Sequence, residues 1–223
     1  MPQHLLPKKG MFVTKNNQKK PKFYSSHRTR QSFRKNTKDQ ANDFQDIKKL
    51  LETYKKNILE IGFGTGTSII QLYERNKNSY FCIESYSLGV ENIKKFIKKN
   101  NIEDIHVFDG DAIEIIENYF SDNSLDEILI FFPDPWPKKK HEKRRILNKF
   151  SLNMFIKKLK TNGLIHFATD HINYAYSAKE LMCDYTKNKV TFNNNRRYRP
   201  ITNYEIRGIK RKNFIFDIIL KKE

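Results

Sequence analysis

The stretch Pro133-Asp134-Pro135-Trp136-Pro137-Lys138 directly follows the apolar run Ile128-Leu129-Ile130-Phe131-Phe132, where a buried strand would end. Prolines restrict the backbone at and just before each ring, so Asp134 and Trp136 are presented in a fixed relation. Open α/β sheets bind their ligands at the carboxyl edge of their strands, and this pair is predicted to sit there. A flat indole beside a held carboxylate suits a planar, hydrogen-bonding substrate such as a nucleobase. The plainer alternative is a proline-rich turn with a half-buried Trp136.

A second group lies upstream. Glu60-Ile61-Gly62-Phe63-Gly64-Thr65-Gly66 joins an apolar strand to a helix, and its glycines let the backbone turn tightly and approach a ligand. The following helix N-terminus favours polar or negative ligand groups. A dinucleotide fingerprint would place glycine at position 67, where the chain has Thr67. Glu60 would repel a pyrophosphate but attract an ammonium or sulfonium. Glu84 ends the next strand and can accept from ribose hydroxyls. Asp111-Ala112 follows the third strand and can accept from an adenine amine and cover its ring; capping a helix is the plainer role for Asp111. Acids after three successive strands indicate an adenosyl cofactor without phosphates, S-adenosylmethionine in place of NAD.

The elements that position these groups read as repeated βα units. Strands are expected over 58–62, 79–84, 105–108, 125–132 and 164–168. Helices are expected over 67–75, 89–99, 112–119, from about 142 to 159, and over 174–185. Phe44, Ile47, Leu50, Leu51 and Tyr54 recur at helical spacing ahead of the first strand. Two last strands, near 190–192 and 214–220, have no helix predicted between them and are expected to pair antiparallel. Five βα units imply a parallel sheet with right-handed crossovers. The fold class is α/β, Rossmann-like: a mostly parallel seven-stranded sheet, helices on both faces, and an antiparallel C-terminal hairpin.

Charge names the partner. The chain carries +18 over 223 residues, with a mean hydropathy of −0.76. Residues 1–38 hold eleven Lys and Arg and no acid. A second cluster holds Lys138, Lys139, Lys140, Lys143, Arg144, Arg145 and Lys149, and a third Arg196, Arg197, Arg199, Arg207, Lys210, Arg211 and Lys212. Three basic clusters, two with aromatics among them, read as a nucleic-acid footprint. Residues 1–40 are expected to form a basic arm and residues 41–223 one catalytic domain. Cys82 and Cys183 have no paired spacing, and the six histidines form no ligand motif, so neither disulfide nor metal is expected. No apolar run reaches membrane-spanning length; a cytoplasmic protein is expected, a monomer more readily than a homodimer.

Taken together, residues 58–66, Pro133–Arg145, Ala168-Thr169-Asp170, and Thr202-Asn203-Tyr204-Glu205 before Arg207-Gly208 resemble the bacterial-type tRNA (guanine-N7-)-methyltransferases, members of the class I methyltransferases. The resemblance covers about residues 30–220. It implies methylation of N7 of a guanine in the tRNA variable loop, guanine 46 in tRNA numbering, from S-adenosylmethionine. By resemblance, Glu60, Gly62, Gly64, Glu84, Asp111, Ala112 and Asp134 fall at cofactor positions, and Asp134 is also the catalytic residue. Lys138, Asp170, Thr202, Asn203, Tyr204 and Glu205 match substrate positions, and Lys140, His141, Glu142, Lys143, Arg144 and Arg145 the stretch that engages RNA. The chain departs from the family at Asn203, where Lys is usual, and at Lys212-Asn213, where Gly-His is usual.

Three other functions share parts of this pattern. An NAD-dependent dehydrogenase is disfavoured by Glu60 and Thr67. A base-amino methyltransferase would carry a doubled proline after the carboxylate, which the chain lacks at Asp134-Pro135-Trp136. A non-catalytic RNA-binding protein would have no need of the intact acidic set.

Overall fold

Buried on every residue, β1 (Asn57–Ile61) lies in the interior of the sheet, as befits a parallel strand covered on both faces. The computed structural model describes residues 46–185, 189–193 and 195–223; the expected arm over 1–40 and Phe44 lie outside them. Ahead of β1 runs α1 (Ile47–Thr53). After it come α2 (Thr67–Arg75), β2 (Ser79–Glu84), α3 (Ser87–Asn100), β3 (Ile105–Asp109), α4 (Ala112–Tyr119) and β4 (Leu125–Phe131). A 3₁₀ turn over Lys139–Arg144 precedes α5 (Lys149–Lys158), β5 (Leu159–Thr169), α6 (Ile172–Tyr185), β6 (Lys189–Asn193), α7 (Asn203–Lys210) and β7 (Phe216–Lys221).

The strand order is β3-β2-β1-β4-β5-β7-β6, with β1 to β5 parallel and β7 antiparallel to both of its neighbours. Successive strand residues face opposite sides of the sheet, and the core divides accordingly. Leu59, Phe81, Ile128 and Phe167 pack on one face, and Ile58, Tyr80, Leu129 and Phe131 on the other.

Three expectations need correction. The helix expected over 142–159 is broken: a 3₁₀ turn ends at Arg144, and α5 starts afresh at Lys149. Asn148 imposes the break by accepting from the Phe150 and Ser151 amides, while Ser151 Oγ accepts from the Asn148 amide. This capping box satisfies amides that a continuous helix would have paired itself. Strand β5 begins at Leu159 and runs through 164–168 to Thr169. The last two strands do pair antiparallel, but not as a tight hairpin, because α7 lies between them. Only Glu205 and Gly208 of α7 are buried, while its Tyr204, Ile206 and Ile209 stay exposed, so the helix is not seated on an apolar stripe.

Candidate active site

Strand order alone brings the expected carboxylates to one rim. Glu84 pairs with Asp109 across β2 and β3, Ile61 with Ile130 across β1 and β4, and Phe131 with Ala168 across β4 and β5. The segments after β3, β2, β1, β4 and β5 therefore lie side by side, carrying Asp111, Glu84, the glycine loop, Asp134 and Asp170 in that order. The strand order reverses between β1 and β4, which is where such sheets open a crevice.

The glycine loop is tied down from two sides. The Gly62 amide donates to the Ile83 carbonyl at 2.8 Å, and the Gly64 amide to Glu84 Oε2 at 2.7 Å. Helix α3 presses against the loop so closely that a Cβ on Gly89 would stand 1.8 Å from the Gly64 carbonyl oxygen. At Gly62, by contrast, a Cβ would meet nothing within 4 Å. The loop is packed from behind and open in front.

Glu60 is buried, and only one of its oxygens is satisfied: Oε1 accepts from Ser68 Oγ at 2.6 Å, while Oε2 has no partner. Burial pushes its pKa up to about 8, the Ser68 hydrogen bond works against the rise, and the Glu84 charge adds to it. An unpaired buried carboxylate oxygen is costly unless a ligand completes it. Glu84 is more committed: its Oε1 accepts from the Ser85 and Tyr86 amides at 2.7 and 3.0 Å. Asp111 caps α4 through Oδ1, which accepts from the Ile113 and Glu114 amides at 2.8 and 3.1 Å. The neighbouring Asp109 is half-buried, and desolvation raises its pKa against the pull of Lys94.

Beyond β4 the chain turns with Phe132 and Trp136 at φ of 51° and 44°, a region costly for residues with side chains. Arg145 holds this loop: it is buried, and its Nε donates to the Pro135 carbonyl at 2.9 Å and Nη1 to Ser177 Oγ at 3.1 Å. Trp136 carries the Arg144 guanidinium over its ring at 4.9 Å and the edge of His141 at 5.9 Å. Asp134 faces solvent, yet the surrounding protein desolvates it enough to raise its pKa above the ordinary carboxylate value.

The residues expected at the substrate converge from distant sequence. Asp170 Oδ2 accepts from Asn213 Nδ2 at 2.9 Å. It does not cap α6; His171 takes that place, with its carbonyl accepting from the Tyr174 and Ala175 amides. Helix α7 reaches the glycine loop as well, since a Cβ on Gly64 would lie 3.8 Å from the Tyr204 ring. Thr202 caps α7, its Oγ1 accepting from the Glu205 amide at 3.1 Å.

Known proteins give this rim its context. The family model described as "Putative methyltransferase" matches residues 54–218. The tRNA (guanine-N(7)-)-methyltransferase of Francisella philomiragia is 40% identical over 181 residues, covering 79% of both chains. Its counterpart in Neisseria meningitidis serogroup A is 38% identical over 75% of this chain and 72% of that one. The chain belongs to the tRNA (guanine-N(7)-)-methyltransferase family. Its fold is that of the class I methyltransferases. The precorrin-6y C5,15-methyltransferase of Geobacter metallireducens superposes with a TM-score of 0.54 at 14% identity, over 82% of this chain and 87% of that one.

Within this methyltransferase, three positions expected at the substrate or RNA are placed elsewhere. Glu205 is buried, its Oε2 taken by Arg199 Nη1 at 2.6 Å and its Oε1 by Arg196 Nη2 at 2.9 Å. Arg199, expected among phosphate contacts, is fully buried, its Nε and Nη2 bound to Asp217 at 2.8 and 2.9 Å. Arg145 is occupied beneath the Asp134 loop, so it too is withdrawn from an RNA surface. Lys138, Lys139, Lys140 and Lys143 remain exposed, as do Asn203, Tyr204, Arg207, Lys210, Arg211 and Lys212.

Two features lie outside the sequence expectations. Asp109 ends β3 beside Glu84, and the acid pair Asp109-Gly110-Asp111 was the signal that could have found it. The buried set His166, Asp217, Arg199 and Glu205 gave no signal, because its members are scattered over 51 residues. Among the described residues no cluster of His, Cys, Asp or Glu is arranged to hold a metal, and no helix is long and apolar enough to cross a membrane.

Proposed function

We propose that this enzyme methylates N7 of guanine 46 in the tRNA variable loop with S-adenosylmethionine, giving 7-methylguanosine. One observation carries the reading: the β1/β4 switch point separates a glycine loop with an unsatisfied acid, Glu60, from the two loops after β4 and β5 that carry Asp134 and Asp170. Donor and acceptor sites are thus adjacent along one rim.

The residues present fit S-adenosylmethionine. Glu60 Oε2 lacks a donor that an ammonium would supply, Gly62 leaves open space, and Asp111 keeps Oδ2 free of the cap. Glu84 retains accepting capacity at Oε2 beyond its bond from Gly64. When bound, the cofactor supplies an electrophilic methyl group on a sulfonium. Guanine N7 has an in-plane lone pair and no proton at neutral pH, so the chain need not supply a general base. Its contribution is alignment and electrostatics. Asp134 stabilises the positive charge that the purine ring gains, or fixes the ring by accepting from its N–H donors. Asp170 and Asn203 line the acceptor side, and Tyr204 stands where that side meets the glycine loop. The exposed lysines of 138–143 and the cations of 207–212 engage phosphates, positioning the tRNA without reading its sequence.

Digesting tRNA after incubation with isotopically labelled cofactor tests the reading. Label in 7-methylguanosine supports it. Label on an exocyclic amine would transfer the site to the base-amino class, and no label in any nucleoside would leave a binding protein.

A further inference from the structure

The least expected feature of this molecule is a run of buried charges under α7. Asp217 of β7 is fully buried and receives Arg199 Nε on Oδ1 and Nη2 on Oδ2, with His166 Nε2 also on Oδ1 at 2.7 Å. The free arm of Arg199 reaches Glu205 at 2.6 Å and the Pro200 carbonyl at 3.4 Å. Burial works against the Arg199 charge, but hydrogen bonds first to Asp217 and then to Glu205 outweigh it, and the guanidinium stays above its ordinary pKa. A buried charge set of this kind is weak support for stability, because desolvation offsets much of the attraction. Its geometric effect is larger. It fixes the only buried side chain of α7, Glu205, to the sheet at Asp217.

What that fixing places is the neighbouring residue, Tyr204. The residue is 55% exposed, so packing does not explain its position, yet its ring edge comes within 3.8 Å of where a Cβ on Gly64 of the cofactor loop would stand. One turn further along the same face of α7, Gly208 rests on Asp170. With no apolar stripe under it, α7 depends on the Glu205 anchor for its register against both loops.

We infer that Asp217, Arg199 and Glu205 are positioning residues that seat Tyr204 over the glycine loop, where the ring helps retain the bound cofactor. This rests on the functional reading above and adds to it a role for groups that do not touch the reactants. It also reassigns Arg199 and Glu205 from RNA and substrate contact to the interior.

A double-variant cycle on cofactor affinity tests it, with S-adenosylmethionine titrated calorimetrically into the full chain. Tyr204→Ala, at an exposed position, should raise Kd about tenfold, within the range that coupled neighbours show. Glu205→Gln should raise Kd similarly while leaving the Arg199–Asp217 pair in place. Combined, the two should be no worse than either alone, because both act through the same ring. A purely structural Glu205 would lower the melting temperature and give additive effects, or none, on Kd; either result overturns the inference. Should Glu205→Gln fail to fold, Glu205→Asp keeps the charge and withdraws the oxygens, and the same non-additivity is required of it. Wild-type protein that does not bind S-adenosylmethionine would instead refute the functional reading itself.

Discussion

Gly208 lies flat against Asp170: a Cβ at position 208 would stand 2.8 Å from the carboxylate Oδ2 and 3.0 Å from the Asp170 Cβ. Two segments far apart in sequence therefore meet at one point, and that meeting sets the distance between α7 and the end of β5. In an ordinary helix, Gly→Ala would stabilise by about 1 kcal/mol. Here Gly208→Ala should do the reverse, displacing Asp170 from Asn213. The expected outcome is a lower melting temperature and a raised KM for tRNA. A lower melting temperature with an unchanged KM would show that Asp170 does not serve the substrate, and a higher melting temperature would show that α7 does not press on Asp170.

The basic cluster after Trp136 divides into two kinds of residue, and salt separates them. Lys140→Gln and Lys143→Gln should each flatten the slope of log affinity for tRNA against log salt, by about 0.7–0.9 for each phosphate left unneutralised. Arg145→Gln should leave the slope alone and lower stability by about 1–3 kcal/mol, since the Pro135 carbonyl loses its donor. Titration of tRNA at several salt concentrations, beside thermal melts, reads both. A changed slope for Arg145→Gln would restore it to the RNA surface.

Much of this was legible in the sequence because parallel βα units announce themselves. The helices over 67–75 and 112–119 and the strand over 79–84 have the bounds expected, since each apolar run is cut by Gly, Asn, Asp or Ser. The strand order then places Glu60, Glu84, Asp111, Asp134 and Asp170 without further information. What stayed hidden depended on tertiary pairing. Arg199 looks like any other arginine of a basic segment until Asp217 meets it across 18 residues. Helix α7 is held by Glu205 and Gly208 in place of an apolar face, so periodicity could not reveal it. The departure at Lys212-Asn213 became intelligible only once Asn213 was seen to donate to Asp170.

Protonation of Glu60 should couple to cofactor binding. The Glu60 pKa stands at about 8 against an ordinary 4.5, so the carboxyl is mostly neutral at pH 7. A raised acid favours the fold below its ordinary value, and that contribution is lost as pH climbs through about 8. An ammonium beside Oε2 favours the charged form, so binding near pH 7 should release a proton, and at pH 9 almost none. Calorimetry in two buffers of different ionisation enthalpy measures this directly. Buffer-independent heats at pH 7 would place the ammonium away from Glu60.

The electrostatic role of Asp134 should also appear in the pH profile. Its raised pKa arises from desolvation, so single-turnover rates should fall on acidification at a pH above the ordinary carboxylate value, as the charge is lost. The profile of Asp134→Asn should be flat through the same region. A wild-type profile flat down to pH 4 would deny the carboxylate a charged role.

Single-turnover methyl transfer by Asp134→Asn, on a tRNA transcript carrying guanine at position 46, bears most directly on the whole account. With cofactor and tRNA both saturating, the rate should fall about 100-fold or more, the scale of removing one electrostatic stabiliser. A transcript with adenine at 46 should accept no methyl group from the wild-type enzyme. Transfer by Asp134→Asn at the wild-type rate, or equal methylation of both transcripts, would contradict it.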